Sequence, residues 1–377
     1  MLIAVSNGLL YVALGILMGT ALLNMIPKTN RPELKVPFPL VLGSALLLPI
    51  VTFPSLLDIA RSISSGRDRL LSEALEMVVF SFQIGTAWIS LTIASAALAL
   101  LIVLFYRKKN AHWSIYLASM ALLAAIIGFQ ASVGHAASAN SLIGFTTHTM
   151  HYLAVSVWIG TLFVVSWFSK SYVNWEGFLE WFTLIAAGCV VLATMSGLIM
   201  SQLITESITG SWVLSYGQAL LLKHLLFAVI LFFAVFNAFF IRGRLKKDAS
   251  FSPRSWLRAE SAAALSILAV TAFMTEQETP QRIERLLRAE GPSPLYAMLF
   301  DSGPAGPASP VFSFHLPGLV LILVGGLFAW LTYYSMKKEM SAWVVLGISL
   351  FFAISMLLGL MSMIGLETAA ASASGLF

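Results

Sequence analysis

An all-α bundle of about ten membrane-spanning helices is the fold class that this sequence predicts, and three observations predict it. Hydrophobic residues fill 59% of the 377 positions and charged residues only 10%, where soluble domains carry about 25% charge. Mean hydropathy is +0.88. Several uninterrupted apolar runs reach about 20 residues, enough for a helix to cross roughly 30 Å of hydrocarbon. Alternating strands of the kind a membrane barrel needs are absent from the pattern.

The elements follow in order. The first run, Leu2 to Ile26, has no basic leader and no small-residue cleavage site, so it reads as a retained span rather than a removed signal. Its Gly15 and Gly19 form a GxxxG pair, expected to serve helix packing rather than a specific dimer. Further spans are expected at about 37–58, 77–106, 112–135, 148–169, 178–204, 217–241, 255–275, 315–335 and 342–365. Pro27, Pro37, Pro253 and Pro317 punctuate span ends, while Pro49 and Pro54 should kink the second helix. The segment 276–314 is the only long loop, with a charged stretch from Glu276 to Glu290 suited to a short surface helix. It looks too small and too poor in strand signals to fold as a domain. This divides the chain into N-terminal helices (1–106), a core (107–275), an extracytoplasmic loop (276–314) and C-terminal helices (315–377).

Charge orients the bundle. Lys28, Arg31 and Lys35, Arg107 to Lys109, Lys170, the run from Arg242 to Arg258, and Lys337 and Lys338 all fall on one side. The positive-inside rule makes that side cytoplasmic and puts both termini outside. The net charge of +5 is therefore a topology signal and no sign of nucleic-acid binding. Cys189 is the single cysteine, which excludes disulfides within the chain and thiolate clusters. No phosphate-binding G-x-x-x-x-G-K-[ST] loop and no dinucleotide turn is present, so ATP hydrolysis in this chain is not expected to drive anything, and no enzyme activity is expected.

On this topology five of six histidines share the outer end: His135, His148, His151, His224 and His315. An imidazole placed there must offset its desolvation, and several together suggest a metal or haem site. His148 and His151, three positions apart, project from nearly one helix face and can chelate one ion. His135 ends the fourth span, and His224 lies roughly 10 Å into the seventh at 1.5 Å per residue. Neutral imidazole suits copper, zinc or iron, and its second nitrogen needs a partner that fixes the tautomer. His315, just before Leu316-Pro317, reads better as a helix-start residue, and His112 as a headgroup contact. Met195, Met200 and Met274 also fall toward the outer end, and thioethers added to imidazole shift preference toward copper. Three buried polar positions remain as a transport path or as interhelical clamps: Lys223, Asn237 and Glu260, with Asn237 or Arg258 as partner for the carboxylate.

From His135 to about Pro280 the sequence resembles the CopD family of bacterial copper-resistance and copper-uptake membrane proteins. The resemblance rests on Gly134-His135-Ala136, on His148-Thr-Met-His151 running to Trp158-Ile-Gly160, on Tyr216-Gly217 running to Lys223-His224 with Asn237 downstream, and on Leu257-Arg258-Ala-Glu260 leading to Thr271-Ala272. It implies a multi-pass protein of the bacterial plasma or inner membrane that binds copper, Cu(I) or Cu(II), at its outer face and moves it inward. Fused relatives carry an extracellular copper-binding CopC domain; none is seen in this sequence, so a separate extracytoplasmic copper-binding partner is expected. Two other readings stay open: a b-type cytochrome using the same histidines as haem ligands, and a copper-delivery or assembly protein that transports nothing.

Overall fold

A computed structural model describes residues 1–67, 69–106, 108, 112–170, 173–248, 251–300 and 308–368. Arg107 and Lys109, which entered the charge argument, lie outside these. The chain is an all-α polytopic protein with ten helices long and apolar enough to cross a membrane. In chain order the helices are α1 (Leu2–Met25), α2 (Phe38–Arg67), α3 (Leu71–Ser81), α4 (Gln83–Phe105), α5 (Trp113–Ser132), α6 (His135–Ala139), α7 (Ile143–Phe168), α8 (Trp175–Ile204), α9 (Ser215–Phe236), α10 (Arg242–Lys247), α11 (Arg254–Met274), α12 (Ile283–Glu290), α13 (Pro294–Phe300), α14 (Leu316–Lys337) and α15 (Ala342–Met361). A π-helical turn, Asn237–Ile241, joins α9 to α10 in one continuous spanning stretch, Ser215–Leu245. Two short strands complete the order: β1 (Ala308–Phe312) and β2 (Ile364–Thr368).

Contacts divide the chain into two compact units, 1–203 with 237–261, and 204–236 with 262–377. The first unit is built on α1, α2, α4 and α5, whose facing sides bury Leu14, Leu17, Leu48, Leu91, Leu98 and Ile126. Outward positions such as Ile50, Ile93 and Leu100 are exposed, the pattern of helices solvated by lipid. Pro49 and Pro54 lie inside α2, which nevertheless continues to Arg67, beyond the expected end near 58. Each proline removes an N–H from the helix ladder. Thr52 Oγ1 donates to Leu48 O at 2.9 Å and Trp88 Nε1 donates from α4 to Pro49 O at 3.0 Å, so side chains support the backbone there. The expected span 77–106 is two helices, α3 and α4, because Phe82 is extended (φ −102°, ψ 150°).

Two further boundaries differ from expectation in ways that matter for the site. The fifth span starts at Ile143, not 148, because Asn140 Oδ1 accepts from Ile143 N at 2.9 Å and opens the helix earlier. The fourth ends at Ser132, so His135 belongs to the short α6 instead of terminating α5.

The expected GxxxG packing is intramolecular. A Cβ on Gly19 would overlap the Gly160 carbonyl of α7, and a Cβ on Gly160 would overlap the Gly15 carbonyl, while Gly15 itself faces the Gly160 Cα. Tyr11 of α1 meets Tyr152 of α7 edge-on, with ring centroids 5.4 Å apart. Tyr11 opposite Tyr152 and Gly15 to Gly19 opposite Gly160 make α1 and α7 parallel. The N-terminus of the chain therefore shares an end with the start of α7.

In the second unit the long loop is more structured than the sequence suggests. The expected surface helix is α12, and α13 follows it. β1 pairs antiparallel with β2, from Ala308 opposite Thr368 to Phe312 opposite Ile364. Strand signals are weak here because Pro310 interrupts the run and the partner lies past the last span, which ends at Met361 instead of near 365. Gln218 Nε2 donates to Ser293 Oγ, and Tyr296 Oη donates to Ile364 O, tying α9 and β2 to the loop.

The α1–α7 crossing yields the first prediction. Gly19→Leu should destabilise the protein by roughly 1–3 kcal/mol or more, the cost of overpacking, read as a lower melting temperature in detergent. Gly43→Ala, where a Cβ meets nothing within 4 Å, should leave it within about 0.5 kcal/mol. Equal melting of the two variants would contradict the crossing.

Candidate metal site and buried polar pair

In the first unit the histidine end of α7 is held by three neighbours. His151 lies roughly 12 Å along the axis from Ile143, half-buried against α8. Its Nδ1 is 2.9 Å from Ala193 O and 3.3 Å from Ser196 Oγ. A carbonyl oxygen only accepts, so in the neutral ring Nδ1 carries the proton and Nε2 carries the lone pair. Hydrogen bonding of one ring nitrogen to a carbonyl is how metal-ligating histidines are held in the ligating tautomer. Gly197 makes room for the ring: a Cβ there would stand 3.4 Å from Cε1.

His148, one turn earlier, stacks on Tyr152 with centroids 6.2 Å apart and planes 16° apart. Its ring lies over Gly134, where a Cβ would come within 2.6 Å of both Nδ1 and Cε1. That contact brings the residue preceding His135 against the His148 ring. His135 itself is exposed at the start of α6. On α8 the positions turned to His151 are Ala193, Ser196 and Gly197, and Met200 continues the same helical stripe. Met195 points elsewhere and is 56% exposed.

In the second unit, His224 Nδ1 donates to Leu220 O of its own helix at 2.7 Å, which fixes the same tautomer as in His151. His224 is exposed, Lys223 beside it is half-buried, and Met274 is the buried last residue of α11. No ion pair involves Lys223 among the described residues. His315 caps the start of α14, with Nε2 3.0 Å from Ser313 Oγ, as a helix-start residue should. His112 caps α5. Among the described residues, no three His, Cys, Asp or Glu side chains gather closely enough to form a metal cage.

Asn237 and Glu260 meet in the first unit. Asn237 Nδ2 donates to Glu260 Oε2 at 2.6 Å, and each residue is only 3% exposed. Asn237 Oδ1 is buried with no hydrogen-bond partner among the described residues. The other expected partner, Arg258, is used differently. Its Nε donates to Ser166 O at 3.0 Å, and its guanidinium lies 5.2 Å from the Trp167 ring centroid. Trp167 Nε1 in turn donates to Ser261 Oγ at 3.2 Å. These contacts lock the start of α11 onto the end of α7, on both sides of Glu260. Arg258 and Glu260 are two positions apart and leave the helix on different faces, which is why they do not pair. Sequence reading missed the α8 seat for His151; the small-residue stripe Ala193, Ser196, Gly197 at helical spacing was its signal.

Residues 1–145 match the family described as Copper resistance protein D-like, N-terminal domain, and residues 176–274 match Copper resistance protein D. The chain belongs to the copper resistance protein D family. The family region 176–274 takes in the α8 seat of His151, His224, Asn237 and Glu260. Copper transport protein CutJ of Bacillus subtilis (strain 168) is 26% identical over 204 residues, which are 52% of this chain and 37% of that relative. The chain thus matches well under half the length of that curated relative. No solved structure matches.

The buried pair makes a second prediction. Asn237→Ala removes a side-chain donor to a buried carboxyl group and should destabilise the fold by roughly 1–3 kcal/mol. Adding Glu260→Leu to that variant should recover part of the loss. A double-mutant cycle on thermal unfolding that shows strict additivity would argue against the pairing.

Proposed function

We propose that this protein carries copper inward across a bacterial plasma or inner membrane, accepting it at the histidine end of α7 and passing it toward Asn237 and Glu260. The observation that carries the reading is the seat of His151: an imidazole inside a spanning helix whose Nδ1 is bound to the Ala193 carbonyl, presenting a lone pair on Nε2. His148, three residues away on α7, is the second ligand. His135 extends the set within the first unit, and His224, fixed in the same tautomer as His151, is the imidazole candidate of the second. Met200, on the stripe of α8 that faces His151, is the better placed thioether of the first unit, ahead of the exposed Met195, and Met274 is the thioether candidate of the second unit. Family membership and the copper-transport name of the relative favour copper over the haem alternative.

The sparse ligand arrangement suits cargo. A pathway must bind an ion strongly enough to admit it and weakly enough to release it. Few, separately held imidazoles meet that requirement where a closed cage would retain the ion. Farther along, the Asn237 oxygen that accepts no hydrogen bond and the Glu260 carboxyl supply oxygen donors, and Lys223 limits how much positive charge gathers beside His224. The charge rule puts the histidine end outside, so loading there and release at the basic end is import. A separate extracytoplasmic copper-binding protein is the expected donor.

His151→Ala should weaken copper binding to the purified protein about tenfold or more and abolish copper accumulation in proteoliposomes, while Met195→Ala should change neither. Unaltered binding and accumulation in His151→Ala would end this proposal. Binding lost without any accumulation by the wild type would favour a delivery protein.

A further inference from the structure

At the other end of the first unit, where α1 leaves for α2, a cavity of about 700 Å³ opens between the α1–α2 connection and the facing ends of α4 and α5. Four cations line it, Lys28, Arg31, Lys35 and Lys108, and no carboxylate does. Arg31 is the informative one. It is only 8% exposed, an arginine taken out of water with no carboxylate beside it among the described residues that line the cavity. Its Nε donates to Ile26 O at 3.0 Å and one Nη2 hydrogen to Asn24 Oδ1 at 3.3 Å. A guanidinium carries five N–H donors in a planar fork. Three are left, and both of the acceptors used are neutral. Burial holds the Arg31 pKa below its usual value, and the nearby Tyr116 phenol offsets only part of that. The nearest acid in sequence, Glu33, is exposed and does not line the cavity.

A second, narrower crevice adjoins this cavity and shares Asn24, Tyr106 and Tyr116 with it. It runs between α1, α4 and α5 along Leu17, Leu98 and Leu123, and its lining is almost wholly apolar. The crevice measures only about 40 Å³, so the ligand space is the basic chamber itself, which at a span end has the shape of a headgroup site.

We propose that this cavity binds a phosphate-bearing anion, with the Arg31 fork on the phosphate oxygens and Lys28, Lys35 and Lys108 around them. Arginine matches phosphate bidentately, and lysines add point charge without fixed geometry. Basic pockets between spanning helices take anionic lipid headgroups in this way. The position of this basic chamber at the ends of spanning helices makes an anionic phospholipid the favoured source of the phosphate over the free ion.

The test uses the full-length protein, delipidated in a neutral detergent, with thermal unfolding and native mass spectrometry as readouts. Phosphatidylglycerol should raise the melting temperature and remain bound through detergent removal, whereas phosphatidylcholine should do neither. In Arg31→Gln, apparent phosphatidylglycerol affinity should fall tenfold or more. Because Arg31 also braces Asn24 and Ile26, the exposed pair Lys28→Gln with Lys35→Gln provides a variant that keeps those bonds, and it should weaken binding several-fold with an unchanged melting temperature in the absence of lipid. Stabilisation by inorganic phosphate at millimolar concentration, lost in the same variants, would support the site with the free anion as its ligand. Equal response to both lipids with none to phosphate, or full phosphatidylglycerol affinity in both variants, would overturn it.

Discussion

The contact on which the first unit depends is the backbone-to-backbone approach of α1 and α7 at Gly15, Gly19 and Gly160. Lipid tails are as apolar as leucine, so helices in a bilayer gain little from hiding apolar side chains from one another. Close packing and polar contacts decide which faces meet. Three glycines remove the side chains that would hold α1 and α7 apart, and α7 becomes the most thoroughly buried of the ten spans. Tyr11 and Tyr152 then set the other end of the crossing. With two points fixed, α7 cannot rotate. His151 is turned to α8, His148 lies between Tyr152 and Gly134, and Ser166 and Trp167 receive the start of α11. Every polar feature assigned to copper in this unit thus hangs on one helix whose orientation glycine dictates.

The second constraint is the cost of burying polar groups away from water. An isolated carboxylate is expensive in hydrocarbon, and spanning helices keep one only where partners receive it. Among the described residues, Glu260 has a single side-chain donor, Asn237, on a turn where the helix widens to π geometry. Such turns are uncommon and concentrate at functional positions, because they swing one residue out of the ordinary ladder. Here the widening begins at the residue that reaches Glu260. The clamp of Arg258 and Ser261 on α7 holds the carboxyl in place from its own helix, so the pair does not have to carry the packing as well. A polar pair relieved of a packing role is free to serve as a way station.

Much of this was legible in the sequence because the bilayer imposes few, strong rules. Ten apolar runs gave ten spans among the described residues, the GxxxG pair followed from helical periodicity, and a partner for Glu260 followed from the cost of a carboxylate inside a span, with Asn237 and Arg258 both left as candidates. Boundaries were less legible where a local hydrogen bond decides them, as Asn140 does for α7, or where an extended residue such as Phe82 splits an apolar run without any change in composition. The β1–β2 pair was illegible because its partners are far apart in sequence and one contains Pro310. The seat of His151 escaped notice for another reason. A backbone carbonyl at Ala193 has no signature of its own, and only the small residues around it mark the space.

The two ends of the first unit are chemically opposed, and the opposition bears on how a cation could pass. At the start of α7 the donors are neutral imidazoles, which attract copper without storing charge. Near the end of α7, where α1 also finishes, stand Lys28, Arg31 and Lys35, and a cation arriving there meets repulsion that falls off over about 8–10 Å at physiological salt. A cavity that keeps Arg31 buried without a carboxylate concentrates that repulsion. An anion held against Arg31 would cancel part of it at the end of the proposed path through Glu260. On the proposed import path, the basic cluster read as the cytoplasmic side would also set the electrostatic slope for the cation, and an anion in the cavity would make that slope less steep.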